Sequence, residues 1–202
     1  MEETKRRRYI IRAVLEGEVD VHEEPVPPLP PGVLYQLPGE LVLDGTNYVD
    51  TGLQFYAADR SYTFTFSFTT GELVNDMLLF NCTDAYNNNT GMMLRYYNNN
   101  HILMGQKRNV VTNVPGTEGV TYKMVIHHAA NDTHTYVSRV TGNDRRNSNF
   151  NADGFYSSSN YLVIGGMLVS GQYQHLWKGT IHDFTIYDHD FTAEEITEYL
   201  GM

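Results

Sequence analysis

The stretch WKGTIHDFTIYDHDFTAEEITEYL, residues 177–200, decides the fold of this chain. Its first half is rich in β-branched and aromatic residues and ends at an Asp-His-Asp turn, which predicts a strand. Ile181 lies on one parity of this strand, whereas Phe184 and Ile186 lie on the other. Because side chains alternate between the two faces of a strand, we expect a bulge at residues 182–183 that returns all three to one buried face.

A short helix is predicted directly after this strand. Thr192 is placed to cap the helix through its hydroxyl. Glu194 and Glu195 follow in the first turn, where the helix dipole favours negative charge. The predicted helix also has one apolar face, formed by Ile196, Tyr199 and Leu200.

The rest of the chain has the pattern of short antiparallel strands. Residues 62–69, YTFTFSFT, place four aromatic rings on one parity and four hydroxyls on the other, which predicts one buried face and one wet face. Turn residues predict two hairpins, around residues 98–100 and 129–132. The polar residues 141–160 are expected to form a long loop, and the apolar run 161–164 to form a strand buried on both faces. We therefore predict an all-β, antiparallel sandwich with one short C-terminal helix.

Two motifs at opposite ends of the predicted domain resemble those of a known fold family. The first, at residues 177–187, reads aromatic-x-Gly-x-Ile-x-x-Phe-x-Ile-Tyr and is followed by a turn, Phe-Thr and Glu-Glu-Ile. The second is the opening strand pair LVLDGTNYVDTG at residues 41–52. In this order the motifs resemble laminin-G-like, concanavalin-A-like jelly-roll domains over residues 33–202. The resemblance implies a jelly-roll sandwich, and its members often bind glycans or proteins through loops at one rim.

The residues before this domain divide into an arm and a spacer. Residues 1–24 contain a strand-like run without a neighbouring partner strand. Its apolar residues are Tyr9, Ile10, Ile11, Val14 and Leu15. A lone strand is not stable in water, so this extended N-terminal arm is predicted to pair with another chain as an assembly anchor. Five prolines fall in residues 25–31, which predicts a semi-rigid spacer over residues 25–32.

Composition argues against several functions. The net charge of −10 at pH 7 argues against nucleic acid as the main partner, because phosphate binding needs a basic face. No apolar run approaches the ~20 residues of a membrane-spanning helix, and residues 9–15 are too short for the core of a signal peptide. We therefore expect no membrane insertion and synthesis in a host cytoplasm. The one cysteine, Cys82, cannot form an internal disulfide and is expected in the core.

Three clusters of aromatic and amide residues predict a glycan-binding surface. Sugars offer hydroxyls to amides and C–H faces to aromatic rings, so this mixture is chemically suitable. The candidate glycan-binding residues are Tyr86, Asn87, Asn88, Tyr97, Asn98, Asn99, Tyr173, His175 and Trp177. The structural alternative is that the asparagine-rich segments are turns and that Trp177 belongs to the core.

A second motif keeps catalysis open as an alternative. Residues 18–23, EVDVHE, resemble the Glu-x-Asp-x-x-Glu motif of retaining endoglucanases built on the same jelly roll. That resemblance implies Glu18 as nucleophile, Asp20 as helper and Glu23 as acid/base. In those enzymes the motif lies on a central strand that lines the cleft, whereas here it precedes the proline spacer. Its acids are expected on an exposed arm without the burial that tunes a catalytic acid, so we predict no enzyme.

No cofactor is predicted. None of the eight histidines shows zinc-ligand spacing together with a third ligand. Calcium binding stays an open alternative, because three carboxylates are predicted in loops and carboxylate oxygens are calcium ligands: Asp44, Asp84 and Asp153.

The layout of arm, spacer and domain resembles phage virion proteins, in which a lead-in such as YQLPG, residues 35–39, opens a laminin-G-like domain. The resemblance implies a virion surface protein that is anchored to other virion structural proteins through residues 1–24 and presents a domain that adheres to host-surface glycan. A homo-oligomer is compatible with such an anchor. The alternatives are a retaining glycoside hydrolase and a purely structural capsid decoration protein without a ligand.

Overall fold

A computed structural model of the chain describes residues 28–54, 61–82, 93–97, 101–106, 109–129, 132–139, 145–150 and 161–201. The strands and the helix of these residues are, in chain order, β1 (Val33–Gln36), β2 (Leu41–Asp44), β3 (Val49–Asp50), β4 (Tyr62–Thr70), β5 (Met77–Asn81), β6 (Met93–Tyr97), β7 (His101–Gln106), β8 (Asn109–Pro115), β9 (Thr121–Ala129), β10 (Asp132–Arg139), β11 (Arg145–Phe150), β12 (Val163–Ile164), β13 (Met167–Val169), β14 (Gln172–Gln174), β15 (Lys178–Tyr187) and α1 (Ala193–Leu200). The predicted arm, residues 1–24, lies outside the described residues.

These strands form two layers. The first sheet has seven strands in the order β1-β15-β4-β9-β10-β11, with β2 also paired to β15. The second sheet has six strands in the order β3-β12-β5-β6-β7-β8, and β13 and β14 form a separate hairpin. Strands β4 and β15 of the first sheet and β5 of the second supply the aromatic centre of the core. Phe66 lies 5.6 Å from Phe80 and 5.7 Å from Phe184 between ring centroids. The all-β, antiparallel jelly-roll sandwich is therefore confirmed.

Strand β15 contains the predicted bulge. Its register with β4 shifts between Ile181 and Asp183, so one extra residue enters the strand at this point. As a result Ile181, Phe184 and Ile186 are all fully buried. The phase break in the hydrophobic pattern was thus a reliable signal of the bulge.

The helix α1 begins and ends where the sequence indicates. The Thr192 hydroxyl accepts a hydrogen bond from the backbone N–H of Glu195, and the Glu195 carboxylate accepts one from the backbone N–H of Thr192, which completes a capping box. The Glu195 carboxylate accepts from the backbone N–H of Thr192 and also from its hydroxyl, and these two hydrogen bonds lower the pKa of Glu195. Gly201 ends the helix in the left-handed conformation, with φ of 70°.

Three of the four hydroxyl residues of β4, namely Thr63, Thr65 and Ser67, are buried, so the prediction of a wet face is wrong for most of the strand. Thr63 is 0% exposed and Thr65 1% exposed. Thr63 donates a hydrogen bond of 2.8 Å from Oγ1 to the carbonyl of His189 and accepts one of 3.1 Å from the N–H of Phe191. The segment after β15 therefore lies across this face, and α1 continues the cover by packing Ile196 and Leu200 on Val125.

The polar segment 141–160 contains a strand, which corrects the prediction of a loop throughout. Residues 145–150 form β11, which pairs with β10 from Ser138 to Thr133 at the edge of the first sheet. Pairing uses backbone groups that every residue except proline provides, so a polar segment without alternation can still add to a sheet edge. The two predicted hairpins are confirmed by the pairing of β6 with β7 and of β9 with β10.

One edge of the first sheet consists of two short strands, β1 and β2, instead of one continuous strand. Strand β1 pairs with β15 from Val33 opposite Tyr187, and β2 pairs with the same strand as far as Asp44 opposite Lys178. Pro38 lies between the two pieces, at the level of the bulge. Proline cannot donate to a ladder and interrupts an edge, which protects it from pairing with another chain.

Candidate functional site

The outer face of the second sheet is partly covered by the β13–β14 hairpin. Leu78 of β5 and Met93 of β6 are buried outside the main core and pack with Met167 and Val169 of the hairpin. The hairpin is thus held on the sheet by apolar contacts. Its second strand, β14, carries the candidate residue Tyr173 towards the edge strand β3.

Tyr173 stacks on Tyr48, the residue before β3. Their ring centroids lie 3.4 Å apart, and the ring planes differ by 21°. Both side chains are half-buried, so part of each ring meets solvent. Val49 is buried in the core between Tyr48 and Asp50, which places these two neighbours on the outer face by the alternation of a strand.

Asp50 completes a cluster with the two rings. The Tyr173 phenol donates a hydrogen bond of 3.2 Å to Oδ2 of Asp50, and the backbone N–H of Gly52 donates one of 3.0 Å to Oδ1. Burial, followed by the negative charge of Asp50, raises the pKa of Tyr173, so the phenol stays protonated and acts as a donor. We name Tyr48, Asp50 and Tyr173 the tyrosine–aspartate cluster.

This cluster combines two features that suit a sugar. An ionised carboxylate accepts hydrogen bonds from hydroxyls, and charge-assisted bonds of this kind are the stronger ones. A tyrosine ring offers an apolar surface with a polar tip. The arrangement can therefore bind a polyhydroxylated ligand that has one apolar face.

His175 has a structural contact. Its ring Nδ1–H donates a hydrogen bond of 3.1 Å to the carbonyl of Asp76. Both residues have a left-handed backbone, with φ of 56° at His175 and 68° at Asp76. The carbonyl of His175 accepts a hydrogen bond of 2.8 Å from the N–H of Leu78. These bonds join the segment after β14 to the start of β5.

Trp177 is a core residue, and the prediction that it binds glycan is wrong. Its side chain is 0% exposed and meets Phe68 edge to face, with centroids 5.8 Å apart. An indole inside the sandwich cannot contact a ligand at the surface. Its Nε1 has no hydrogen-bond partner among the described residues.

The side chains of the remaining candidate residues are not described. Tyr97 ends β6, in register with His101, and its side chain is not described. Five further candidates, in the segments that precede and follow β6, lie outside the described residues: Tyr86, Asn87, Asn88, Asn98 and Asn99. The same holds for the arm residues Tyr9, Ile10, Ile11, Val14 and Leu15 and for the acids Glu18, Asp20 and Glu23.

Tyr48 and Asp50 were missed as site residues. Both lie in the motif at residues 41–52, which served only as evidence for the fold. The signal was present, because a Tyr-Val-Asp triplet in a strand puts its two polar members on the face opposite the apolar one. What the triplet does not reveal is its partner Tyr173, which follows Asp50 by 123 positions.

A series of hydrogen-bonded polar side chains crosses the outer face of the first sheet. His182, the bulged residue, contacts Glu40 at 2.8 Å through Nδ1 and Thr69 at 2.7 Å through Nε2, and Thr69 contacts Thr121 at 2.7 Å. A carboxylate, an imidazole and a hydroxyl follow in the order of a hydrolytic triad. Here Glu40 and His182 are exposed, and the Thr69 hydroxyl also contacts Thr121. We therefore assign these side-chain contacts a structural role, which is to hold neighbouring strands of the sheet together.

No metal centre stands out in the described part of the chain. None of its His, Cys, Asp and Glu side chains form a group of three that could hold an ion. Asp44 accepts two hydrogen bonds from Thr46 through Oδ1, which lower its pKa. Asp84 and Asp153 lie outside the described residues. Within the residues described, no helix is long and apolar enough to cross a membrane.

No protein-family model matches the chain, and no curated protein matches it in sequence. Solved structures do resemble it. The CBM40 of the Ruminococcus gnavus IT-sialidase, bound to α2,3-sialyllactose, superposes with a TM-score of 0.60 at 12% identity, over 85% of this chain and all of that one. The leech intramolecular trans-sialidase in complex with 2,7-anhydro-Neu5Ac gives 0.60 at 14% identity, over 86% of this chain.

A mutant of NanB sialidase from Streptococcus pneumoniae also gives a TM-score of 0.60, at 16% identity and over 82% of this chain. The chain spans about a quarter of these two sialidases, 28% of each, but the full length of the CBM40. At such identities the likeness concerns the fold, and it agrees with the concanavalin-A-like jelly roll that the two sequence motifs resemble.

Proposed function

We propose that this chain is a non-catalytic carbohydrate-binding module that contacts its glycan at the tyrosine–aspartate cluster. The observation that carries the proposal is the stacked pair of Tyr48 and Tyr173 beside the Asp50 carboxylate, half-exposed on the outer face of the second sheet. The fold likeness to a CBM40 bound to sialyllactose supports the class of function.

Each member of the cluster has a distinct task in this proposal. The two rings cover each other's inner faces, so a pyranose lies on the outer face of the stacked pair. Because the rings already stack on each other, little side-chain freedom is lost on binding. Asp50 accepts hydrogen bonds from ligand hydroxyls. Tyr173 orients that carboxylate through its own hydrogen bond. A rigid site of this kind binds without a conformational change.

A glycan array probed with the full chain tests this proposal. We expect binding to at least one oligosaccharide, and loss of binding by about tenfold when Tyr173 is replaced by alanine. A nucleobase stacked on one aromatic ring gains ~1–3 kcal/mol, and we expect a gain of the same order for the C–H face of a sugar. Tyr187→Ala is the matched control, because Tyr187 is a half-buried tyrosine like Tyr173 but lies on the first sheet, at the end of β15 that pairs with Val33. An array without any bound glycan, or equal losses in both variants, would contradict the proposal.

We also propose presentation of the module on a virion surface, with residues 1–24 as the anchor. Support comes from the layout of the sequence and its resemblance to phage virion proteins. Size-exclusion chromatography with light scattering on the full chain and on residues 32–202 tests the anchor. We expect the full chain to self-associate or bind particles and the shortened chain to stay a folded monomer. Unchanged association after the deletion would remove the anchor from the proposal.

The two alternatives predict different outcomes. A retaining glycoside hydrolase would turn over a β-glucan and lose this activity on Glu18→Gln, since its nucleophile is a carboxylate. A purely structural decoration protein would bind particles but no glycan. Turnover assays and the same array therefore separate all three functions.

A further inference from the structure

The Asp50 carboxylate is the charged acceptor of the tyrosine–aspartate cluster. A carboxylate offers about four lone-pair positions. Oδ1 accepts from the N–H of Gly52 and Oδ2 from the phenol of Tyr173. Among the described residues one position on each oxygen therefore stays available, which is enough to accept from two hydroxyls of one sugar ring.

Among the residues that the structure describes, the charges around the cluster are unfavourable for an anion. Asp50 forms no ion pair with a side chain that the structure describes, whereas Lys178, at the adjoining end of β15, is ion-paired with Glu72. Arg95 lies on β6, which is separated from β3 by β12 and β5 in the second sheet. The whole chain carries a net charge of −10. An anionic ligand would thus meet a negative site on a negative molecule.

We infer that the tyrosine–aspartate cluster takes the uncharged pyranose of a neutral oligosaccharide and discriminates against sialylated glycans. This inference rests on the proposed function and narrows its ligand class. Two adjacent hydroxyls of the sugar donate to Asp50, and its C–H face lies on the exposed side of the tyrosine pair. The carboxylate of a sialic acid at the same place would face Asp50 as a like charge, which weakens binding by at least about fivefold.

The test uses the full chain on an array that carries neutral oligosaccharides, each beside its sialylated partner. The tightest neutral glycan and its sialylated form are then titrated by calorimetry. We expect the neutral member to bind at least about fivefold more tightly. This comparison needs no variant, so it stays informative even if a substitution disturbs folding.

Asp50→Asn provides the second arm. The asparagine oxygen still accepts from Gly52, so the fold is expected to persist, which thermal unfolding checks. We expect Asp50→Asn to weaken neutral binding by about tenfold, as for a lost charge-assisted bond, and to reduce the discrimination towards unity. Glu194→Gln is the control with the same change of charge, at an exposed position on α1, and leaves both affinities unchanged.

The outcomes separate this inference from the function beneath it. Equal or tighter binding of the sialylated partner overturns the ligand class while carbohydrate binding stands. Neutral binding that Asp50→Asn leaves intact overturns the assignment to this cluster. An array on which nothing binds overturns the proposed function, and this inference with it.

Discussion

The phenol oxygen of Tyr199 donates a hydrogen bond of 2.8 Å to Oδ1 of Asp183 and so joins α1 to β15. Lys123 of β9 adds a hydrogen bond of 3.1 Å from Nζ to the carbonyl of Tyr199, and its ammonium lies 5.3 Å from the centroid of the Tyr199 ring. The end of the helix is therefore held on the first sheet by polar contacts next to its apolar ones.

Asp183 should make stability depend on pH. Burial raises its pKa, although the hydrogen bond from Tyr199 and the charge of Lys123 oppose the shift. Because the folded-state pKa exceeds the unfolded value, the folded chain binds more protons between the two, and this contribution to stability is lost as the pH rises through the folded pKa. We expect the free energy of unfolding of the wild type minus that of Asp183→Asn to be highest below about pH 4 and to fall above it. Urea unfolding between acidic and neutral pH measures this difference, and a constant difference would contradict the prediction.

The apolar contact of α1 should carry most of its docking energy. Ile196 is buried against Val125, so Ile196→Ala leaves a cavity and is expected to cost about 2–3 kcal/mol. Glu198→Ala, at an exposed position of the same helix, is expected to change stability by less than about 0.5 kcal/mol. Chemical denaturation of both variants gives the comparison. Equal effects would mean that the helix is not docked through Ile196.

The capping box should stabilise the start of the helix. Thr192→Ala removes the hydroxyl that accepts from Glu195 and is expected to cost about 1 kcal/mol. Thr192→Ser retains that hydroxyl and serves as the control. Should the serine variant lose as much stability as the alanine variant, the hydroxyl is not what matters at this position.

Gly179 should tolerate no side chain. Its φ is 140°, and an added Cβ would lie 2.3 Å from the carbonyl oxygen of Thr69 and 2.8 Å from the N of Gly71, both of them backbone atoms. Gly179→Ala is expected to cost about 3 kcal/mol or more. Gly39→Ala is the matched control, because a Cβ there meets nothing within 4 Å. A melting temperature of Gly179→Ala close to that of Gly39→Ala would disprove this account.

The features predicted correctly from the sequence depend on local chemistry. The bulge follows from the parity of Ile181 against Phe184, and the helix start follows from the hydroxyl of Thr192. The errors concern contacts between distant segments. Thr63 is polar and alternates with rings, so nothing near it in the chain shows that residues 188–200 cover it.

Two members of the candidate site, Tyr48 and Asp50, were missed for the same reason, whereas Tyr173 was among the predicted residues. Asp50 becomes part of a cluster through Tyr173, on a hairpin that enters the fold much later in the chain. Trp177 shows the opposite error, since an aromatic residue beside polar ones in sequence turned inward on folding. Residue type made Tyr173 and Trp177 equal candidates, and only their burial in the folded chain tells them apart.

Strand β15 also fixes how far the candidate site stands from the beginning of the domain. Val33 pairs with Tyr187 at one end of this strand, and Asp44 pairs with Lys178 at the other, shortly before Tyr48. Ten extended residues cover about 33 Å. A sugar held at Tyr48 would therefore dock roughly one full strand length away from Val33, where the first strand of the sandwich begins.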